Sequence, residues 1–383
     1  MTAFGKLTVP VILLSLLTAC SKDNADYTAP TDALFATLDA ATSGVDFENR
    51  VTEDEDFNVL SYRLFYNGAG VAIGDLNGDG RNDLYFAANQ GPNRLYLNSG
   101  DGTMRFREVA GAAAGSMSWS TGVTAVDANA DGRLDLYVCN SGKADGSERK
   151  NELFINQGND EHGNPTFAEM ADAYGLNDEG FSTQAAWLDY DNDGDLDVYL
   201  LNNSYLNPEN INPRGENRNK RDPEGGDKLL RNDPGPDGHP VFTDVSEEAG
   251  IFGSRIGFGL GCGLGDVNGD GWTDIYVSND FWERDYLYVN QRDGTFREEL
   301  TGRVDHVSVS SMGSDVADLD NDGDVEIFST DMLPSDNQRL KASTLFDSYN
   351  GRNIKFEQEY HHQILQNCLQ LNDGDGNFRE VAH

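Results

Sequence analysis

The sequence predicts an all-β fold, a β-propeller built of four-stranded antiparallel blades, with five blades in this chain. Three observations predict it. A nine-residue acidic loop is written five times, strand-favouring residues flank every copy, and a second strand signature follows each one. The first copy is Asp75-Leu-Asn77-Gly-Asp79-Gly80-Arg-Asn-Asp83, and the others start at Asp127, Asp189, Asp266 and Asp318.

Positions 1, 3, 5 and 9 of the loop carry oxygen side chains throughout. They are Asp75, Asn77, Asp79 and Asp83; Asp127, Asn129, Asp131 and Asp135; Asp189, Asp191, Asp193 and Asp197; Asp266, Asn268, Asp270 and Asp274; and Asp318, Asp320, Asp322 and Glu326. Position 6 is always Gly. Alternate residues of a tight loop can turn their oxygens inward while the Gly makes the sharp turn, and a calcium ion takes six to eight such ligands in a flexible shell. Ca2+ is therefore the expected cofactor. The EF-hand shares this opening pattern but needs a bidentate Glu at position 12, where the chain has Phe86, Val138, Leu200, Val277 and Ser329.

Helices are also missing from the flanks. Position 9 is followed by runs such as Leu84-Tyr85-Phe86 and Ile275-Tyr276-Val277, which favour strands. Position 1 is preceded by Gly-rich stretches such as Gly257 to Gly265, poor as helix and suited to closely packed strand. Each loop is thus expected to join two strands of a hairpin.

The second signature reads Asn93-Arg-Leu-Tyr-Leu-Asn98, Asn151-Glu-Leu-Phe-Ile-Asn156, Asp227-Lys-Leu-Leu-Arg-Asn232, Asp285-Tyr-Leu-Tyr-Val-Asn290 and Asn367-Cys-Leu-Gln-Leu-Asn372. Each is a short strand closed by Asn. A Gly-containing turn and a strand such as Phe296-Arg-Glu or Phe378-Arg-Glu come next. Four strands per unit is the arithmetic of a propeller blade. Loop copies start 52 to 77 residues apart, so insertions are carried on a constant frame. The largest, Asn202 to Gly226, holds a basic island of Arg214, Arg218, Lys220 and Arg221; it reads either as a functional loop or as a solvated one. The last insertion contains Glu357 and His361, which on one helix would lie four apart and could share a metal.

Global composition narrows the function classes. With 28 Lys+Arg against 66 Asp+Glu, the formal net charge is −38. Nucleic-acid partners are disfavoured, because phosphate binding rests on a basic footprint. Residues 1–19 read as a secretory signal, with Lys6, the apolar run Leu7 to Leu17, and small residues before Cys20. The run is too short to span a bilayer. Leu17-Thr18-Ala19-Cys20 resembles a bacterial lipobox, which places a lipid anchor on Cys20 and the protein at the outer membrane or cell surface. Residues 20–31 then form a tether. Residues 32–66 form a lead-in, with a short helix expected over Asp32 to Ala41, where Leu34, Leu38 and Ala41 recur at helical spacing. Glu53-Asp54-Glu55-Asp56 reads as a solvated loop, with an extra ligand cluster as the alternative. The propeller takes residues 67–383. Cys139, Cys262 and Cys368 show no framework spacing and are expected to form no disulfide.

Taken together, the five loops inside strand hairpins and Phe258-Gly259 resemble the FG-GAP/VCBS repeats of the integrin-α-type propeller. Gly44-Val45-Asp46-Phe47, Asn67 to Asp75, Trp119-Ser-Thr-Gly122 and Asp331-Met-Leu-Pro334 look more closely like the bacterial CRTAC1-like (ASPIC/UnbV-associated) lipoproteins, over about residues 30–383. The resemblance implies that side chains at positions 1, 3, 5 and 9 ligate calcium; Glu326 departs from the usual Asp. It also implies a ring of seven blades in a longer chain, so that this chain is expected to be either a truncated form of such a ring or a ring of five blades. A binding or adhesion scaffold for a protein or glycan ligand, monomeric and not an enzyme, is the leading functional expectation. The alternative is a secreted propeller enzyme acting on polysaccharide through a carboxylate pair. The chain has no His-Glu-x-x-His, Gly-x-Ser-x-Gly or P-loop pattern, and its three thiols, which could act beside His306 or His361, sit in apolar strand sequences.

Overall fold

The computed structural model describes residues 34–100, 102–113, 115, 118–142, 149–212, 218–236, 238–343 and 348–382. The chain separates into two units, Met1–Asp39 and Ala40–His383, and all the blades lie in the second. The expected signal segment, Cys20 and the tether fall outside the described residues, as does Arg214.

Five four-stranded antiparallel sheets follow one another along the chain, each with its strands in sequence order. Blade 1 comprises Val71–Gly74, Asp83–Phe86, Arg94–Asn98 and Phe106–Val109. Blade 2 comprises Trp119–Val126, Asp135–Ser141, Glu152–Asn159 and Pro165–Glu169. Blade 3 is built of Ser182–Leu188, Asp197–Asn202, Lys228–Pro234 and Pro240–Asp244, and blade 4 of Gly259–Gly265, Asp274–Asn279, Tyr286–Asn290 and Phe296–Glu298. Blade 5 has Ser311–Ala317, Glu326–Asp331, Cys368–Asn372 and Phe378–Glu380. The fold is an all-β propeller with the expected blade plan.

The core is divided into four seams, one between each pair of successive blades. Residues alternate across a strand, so the second strand of an interior blade feeds both of its neighbours. In blade 3, Val198 and Leu200 pack toward blade 2, while Tyr199 and Leu201 pack toward blade 4. That is why these strands are buried on both faces and read as nearly continuous apolar runs. Burying one such Leu or Val contributes roughly 1.5–3 kcal/mol.

First strands of adjacent blades approach backbone to backbone. A Cβ on Gly122 would lie 2.5 Å from the Thr183 carbonyl oxygen, and one on Gly261 would lie 2.8 Å from the Cα of Gly313. Only hydrogen fits there, which accounts for the Gly-rich runs that the sequence places ahead of the loops.

The lead-in departs from expectation. No helix spans Asp32 to Ala41: Leu34 to Asp39 are non-helical, and a single turn, Ala40–Ser43, follows. Leu34 and Phe35 are 91% and 90% exposed, so the apolar stripe has nothing to bury against, and so short a helix is marginal by itself. What anchors the lead-in is aromatic. Phe57, Tyr62 and Phe65 pack around Trp119, the first residue of blade 2. The acidic run is a solvated turn in which Asp54 accepts the N–H groups of Asp56 and Phe57.

In the last insertion two helices form, Asn337–Ser343 and Tyr349–Glu357. The second ends at Glu357, so His361 does not share its face. His361 instead stands at φ 63° and bonds the Val304 carbonyl at 2.7 Å, so the expected pairing of Glu357 and His361 four apart on one helix is not made. The basic island is turned inward where it is described. Arg218 clamps Glu283 and lies over the Tyr360 ring, and Arg221 reaches the Ile251 carbonyl. The two insertions are thereby fastened to blade 4 and to each other.

Candidate metal centres

All five acidic loops lie where the sequence places them, between the first and second strands of a blade. The residue before position 1 pairs with position 9 across the ladder: Gly74 with Asp83, Val126 with Asp135, Leu188 with Asp197, Gly265 with Asp274, and Ala317 with Glu326. Positions 1 to 8 are thus a closed loop on a rigid base.

Backbone N–H groups pre-shape each loop. In the first, Asp75 accepts from the N–H groups of Asp79 and Gly80, and Asp79 accepts from that of Arg81. The same three bonds recur from Asp127 and Asp131, from Asp189 and Asp193, and from Asp266 and Asp270. In the fifth loop Asp318 accepts from Gly323 and Asp322 from Asp324.

Position 9 has a second duty. Asp83, Asp135, Asp197, Asp274 and Glu326 are all buried. One oxygen of each accepts the N–H of position 2, at 2.8 to 3.2 Å. In the first four blades the other oxygen accepts the N–H of the Asn that closes the third strand, Asn98, Asn156, Asn232 or Asn290. Burial pushes Asp135 up to about 6 and Asp197 and Asp274 to about 7, against the lowering effect of those N–H bonds.

The closing Asn was legible only as a strand end; the structure makes it a link between blades. Asn156 of blade 2 donates its side-chain amide to the carbonyl of Leu76, position 2 of the blade 1 loop, at 2.9 Å. Asn290 of blade 4 does the same to Tyr190 of blade 3, and Asn372 of blade 5 to Val267 of blade 4, at 2.7 and 2.8 Å. Repetition of Asn at that place was the available signal.

The loops fall into two kinds. Loops 1, 2 and 4 have Asn at position 3, and a guanidinium sits on their position 5 carboxylate: Arg81 on Asp79, Arg133 on Asp131, Arg292 on Asp270. Loops 3 and 5 have Asp at position 3 and Asp at position 7. Among the described residues no guanidinium pairs with Asp193 or Asp322. Ligand oxygens of Asp189, Asp191 and Asp197 lie within 4.8 Å of one another, as do those of Asp318, Asp320 and Glu326. Asp191, Asp195 and Glu326 each keep one buried oxygen with no hydrogen-bond partner. Burial first, and then the neighbouring carboxylates, raise Asp195 to about 6. Orphaned oxygens in a crowded carboxylate loop fit a hard divalent cation.

A cavity of about 580 Å³ is lined by the first strands of all five blades and by the lead-in. Val71, Thr121, Gln184, Leu260 and Met312 contribute from blades 1 to 5 in turn, and Tyr66 from the lead-in.

The fold and loops define an acidic-loop repeat propeller. The FG-GAP-like repeat family matches residues 75–138 and 266–329, which take in the loops and second strands of blades 1, 2, 4 and 5. Cartilage acidic protein 1 of Mus musculus is 34% identical over 135 residues, covering 35% of this chain and 20% of that protein. The Homo sapiens protein is 33% identical over 135 residues, with the same two shares. The matched segment thus spans about a fifth of the relatives' length. Among solved structures, an Agrocybe aegerita lectin that recognises non-reducing terminal N-acetylglucosamine matches at TM-score 0.43 and 16% identity, over 80% of this chain and 64% of that one. The V. cholerae biofilm matrix protein Bap1 matches at TM-score 0.36 and 14% identity, over 82% and 39%. The chain carries FG-GAP-like repeats in two segments and is similar, over about a third of its length, to cartilage acidic protein 1.

Proposed function

We propose that this chain is a calcium-stabilised binding propeller, held at a bacterial cell surface through Cys20, that presents its central cavity and insertions to a protein or glycan ligand. The observation that carries the calcium reading is one oxygen-rich geometry repeated in five hairpins, with orphaned buried oxygens in two of them. Positions 1, 3, 5 and 9 would hold the ion. Bound calcium supplies charge, neutralising carboxylates that otherwise repel and protonate. The chain's own part is to fix the loop through the N–H bonds to positions 1, 5 and 9, so the ion meets a shaped site.

Support for the binding face comes from the cavity, where Gln184 stands beside Tyr66, Leu260 and Met312, and where Thr121, Thr124 and Thr183 donate their hydroxyls to backbone carbonyls that tie neighbouring blades together. A concave wall that mixes polar and apolar groups suits a ligand of the same mixed character. The test is a glycan array and a screen of purified surface proteins, probed with the calcium-loaded chain and with the chelated chain. Binding that requires calcium and is lost in both Gln184→Ala and Gln184→Leu supports the reading. A calcium-loaded, folded chain that binds nothing on either panel, or whose binding ignores the cavity variants, overturns it.

A further inference from the structure

Each blade carries an acidic residue at one register position in its fourth strand. Glu108 pairs with Tyr96, Glu169 with Phe154, Asp244 with Leu230, Glu298 with Tyr288 and Glu380 with Gln370. In blades 1 and 4 an arginine answers that carboxylate, Arg94 for Glu108 and Arg284 for Glu298. Blade 5 is different. The register position held by Arg94 in blade 1 is held by Cys368, and the side chain that faces Glu380 is His306, 3.5 Å away. A ring nitrogen of His306, Cys368 Sγ and a Glu380 carboxylate oxygen all lie within 4.8 Å of one another.

We propose that His306, Cys368 and Glu380 form a site for a borderline-soft divalent metal, of which zinc is the natural occupant, separate from the five acidic loops. Zinc takes imidazole nitrogen, thiolate sulfur and carboxylate oxygen at about 2.0–2.3 Å in a tetrahedral shell. The three atoms are already gathered, so small side-chain movements close the shell. A hard cation such as calcium would not choose a thiol.

Gln366 marks the centre. Its amide nitrogen is 2.9 Å from His306 Nε2 and 3.2 Å from Glu380 Oε2, so a donor already stands where a cation would sit. A ring nitrogen must be unprotonated to act as a ligand, and the His306 tautomer with its proton on Nδ1 meets that need while accepting from the Gln366 amide. On metal binding the amide swings aside or turns its oxygen in as the fourth donor, and the Cys368 proton leaves to solvent. The other Glu380 oxygen accepts the N–H of Ala382 at 2.7 Å, which fixes the carboxylate from behind. A nucleophilic role for Cys368 fits poorly, because its side chain is buried and burial, followed by Glu380, pushes the thiol up to about 12.

The probe is cobalt(II), added to the calcium-saturated full chain so that the acidic loops are filled. The expected result is one equivalent of cobalt with a thiolate-to-metal charge-transfer band, displaced by stoichiometric zinc. Cys368→Ser should abolish the band, and His306→Gln or Glu380→Gln should weaken cobalt binding at least about tenfold. His162→Gln, at an exposed turn of blade 2, should leave the band unchanged. Should the serine variant fail to fold by circular dichroism, His306→Gln, at a partly exposed position, carries the same test. No charge-transfer band in the folded wild type, or a band that survives in every variant of the three, overturns the proposal.

Discussion

Asn290 of blade 4 donates its side-chain amide to the carbonyl of Tyr190, in the acidic loop of blade 3, across 2.7 Å. The loop on one blade is thus held by the strand end of the next. A cation that orders the loop orders the seam as well, and the seam is where the apolar core lies.

Removing that link should be costly. Asn290→Ala leaves the Tyr190 carbonyl without its buried donor, and the loss should be about 1–3 kcal/mol, read as a lowered melting temperature in calcium. Asn98→Ala is the control, because the Asn98 amide serves the carbonyl of Asn82 in its own blade, in an exposed setting. Equal effects of the two substitutions would show that the inter-blade bond has no special weight.

Calcium titration should resolve two classes of site. Loops 3 and 5 bring more carboxylates and, among the described residues, no guanidinium paired with position 5, while Arg81, Arg133 and Arg292 compete for loops 1, 2 and 4. Isothermal calorimetry is expected to find two tight ions and up to three weaker ones. Asp193→Ala should remove one tight ion, and Arg133→Gln should strengthen one weak one. A single uniform class, unmoved by Arg133→Gln, would contradict the division.

Chelation should lower the melting temperature steeply, and magnesium should not restore it, since it demands a tighter octahedral shell. With about 1 mM calcium and a dissociation constant near 0.1 mM, each filled site adds about 1.4 kcal/mol of apparent stability. A few such sites are comparable with the roughly 5–15 kcal/mol of a typical domain. A melting curve that ignores excess chelator would mean that the loops are merely acidic turns.

Asp227 and Asp285 should impose a pH dependence. They open the third strands of blades 3 and 4, are fully buried, and accept the hydroxyls of Tyr199 and Tyr276 and the N–H groups of Asn202 and Asn279. Burial raises each from 3.8 to about 7. The folded state therefore holds these protons more tightly than the unfolded one, so stability is lost as pH climbs from about 4 to about 7. Blade 2 shows the remedy. Asn151 at the same place accepts the N–H of Asn140 and donates to the Tyr137 hydroxyl, with no charge to bury. In saturating calcium, Asp227→Asn and Asp285→Asn should raise the melting temperature at pH 8 and flatten its fall between pH 5 and 8. Unchanged pH profiles would refute this assignment.

How much could be read beforehand depends on how local each feature is. Loop, hairpin and four-strand unit are set by residues within a few positions of one another, and the repetition averages out accident. Asp32 to Ala41 misled because Leu34 and Leu38 have helical spacing but no surface to cover. Glu357 and His361 misled because the helix stops at Glu357, where the chain turns to reach Val304. Arg218 finds Glu283 65 positions away, and Asn372 finds Val267 105 positions away. No spacing rule reaches that far, so an inward clamp reads in the sequence as either a functional or a solvated loop, and a seam bond as a strand end.

The alternation of the second strands settles how the molecule comes apart. Tyr199 belongs to one wall of blade 3 and Val198 to the other, so an interior blade owns only half of each core it touches. Excising such a blade would leave two open halves instead of one smaller protein. Stability then passes from neighbour to neighbour along the row, as in a chain of coupled spins, and a wound at Tyr199 is felt on the far side of blade 4 before it is felt at blade 1.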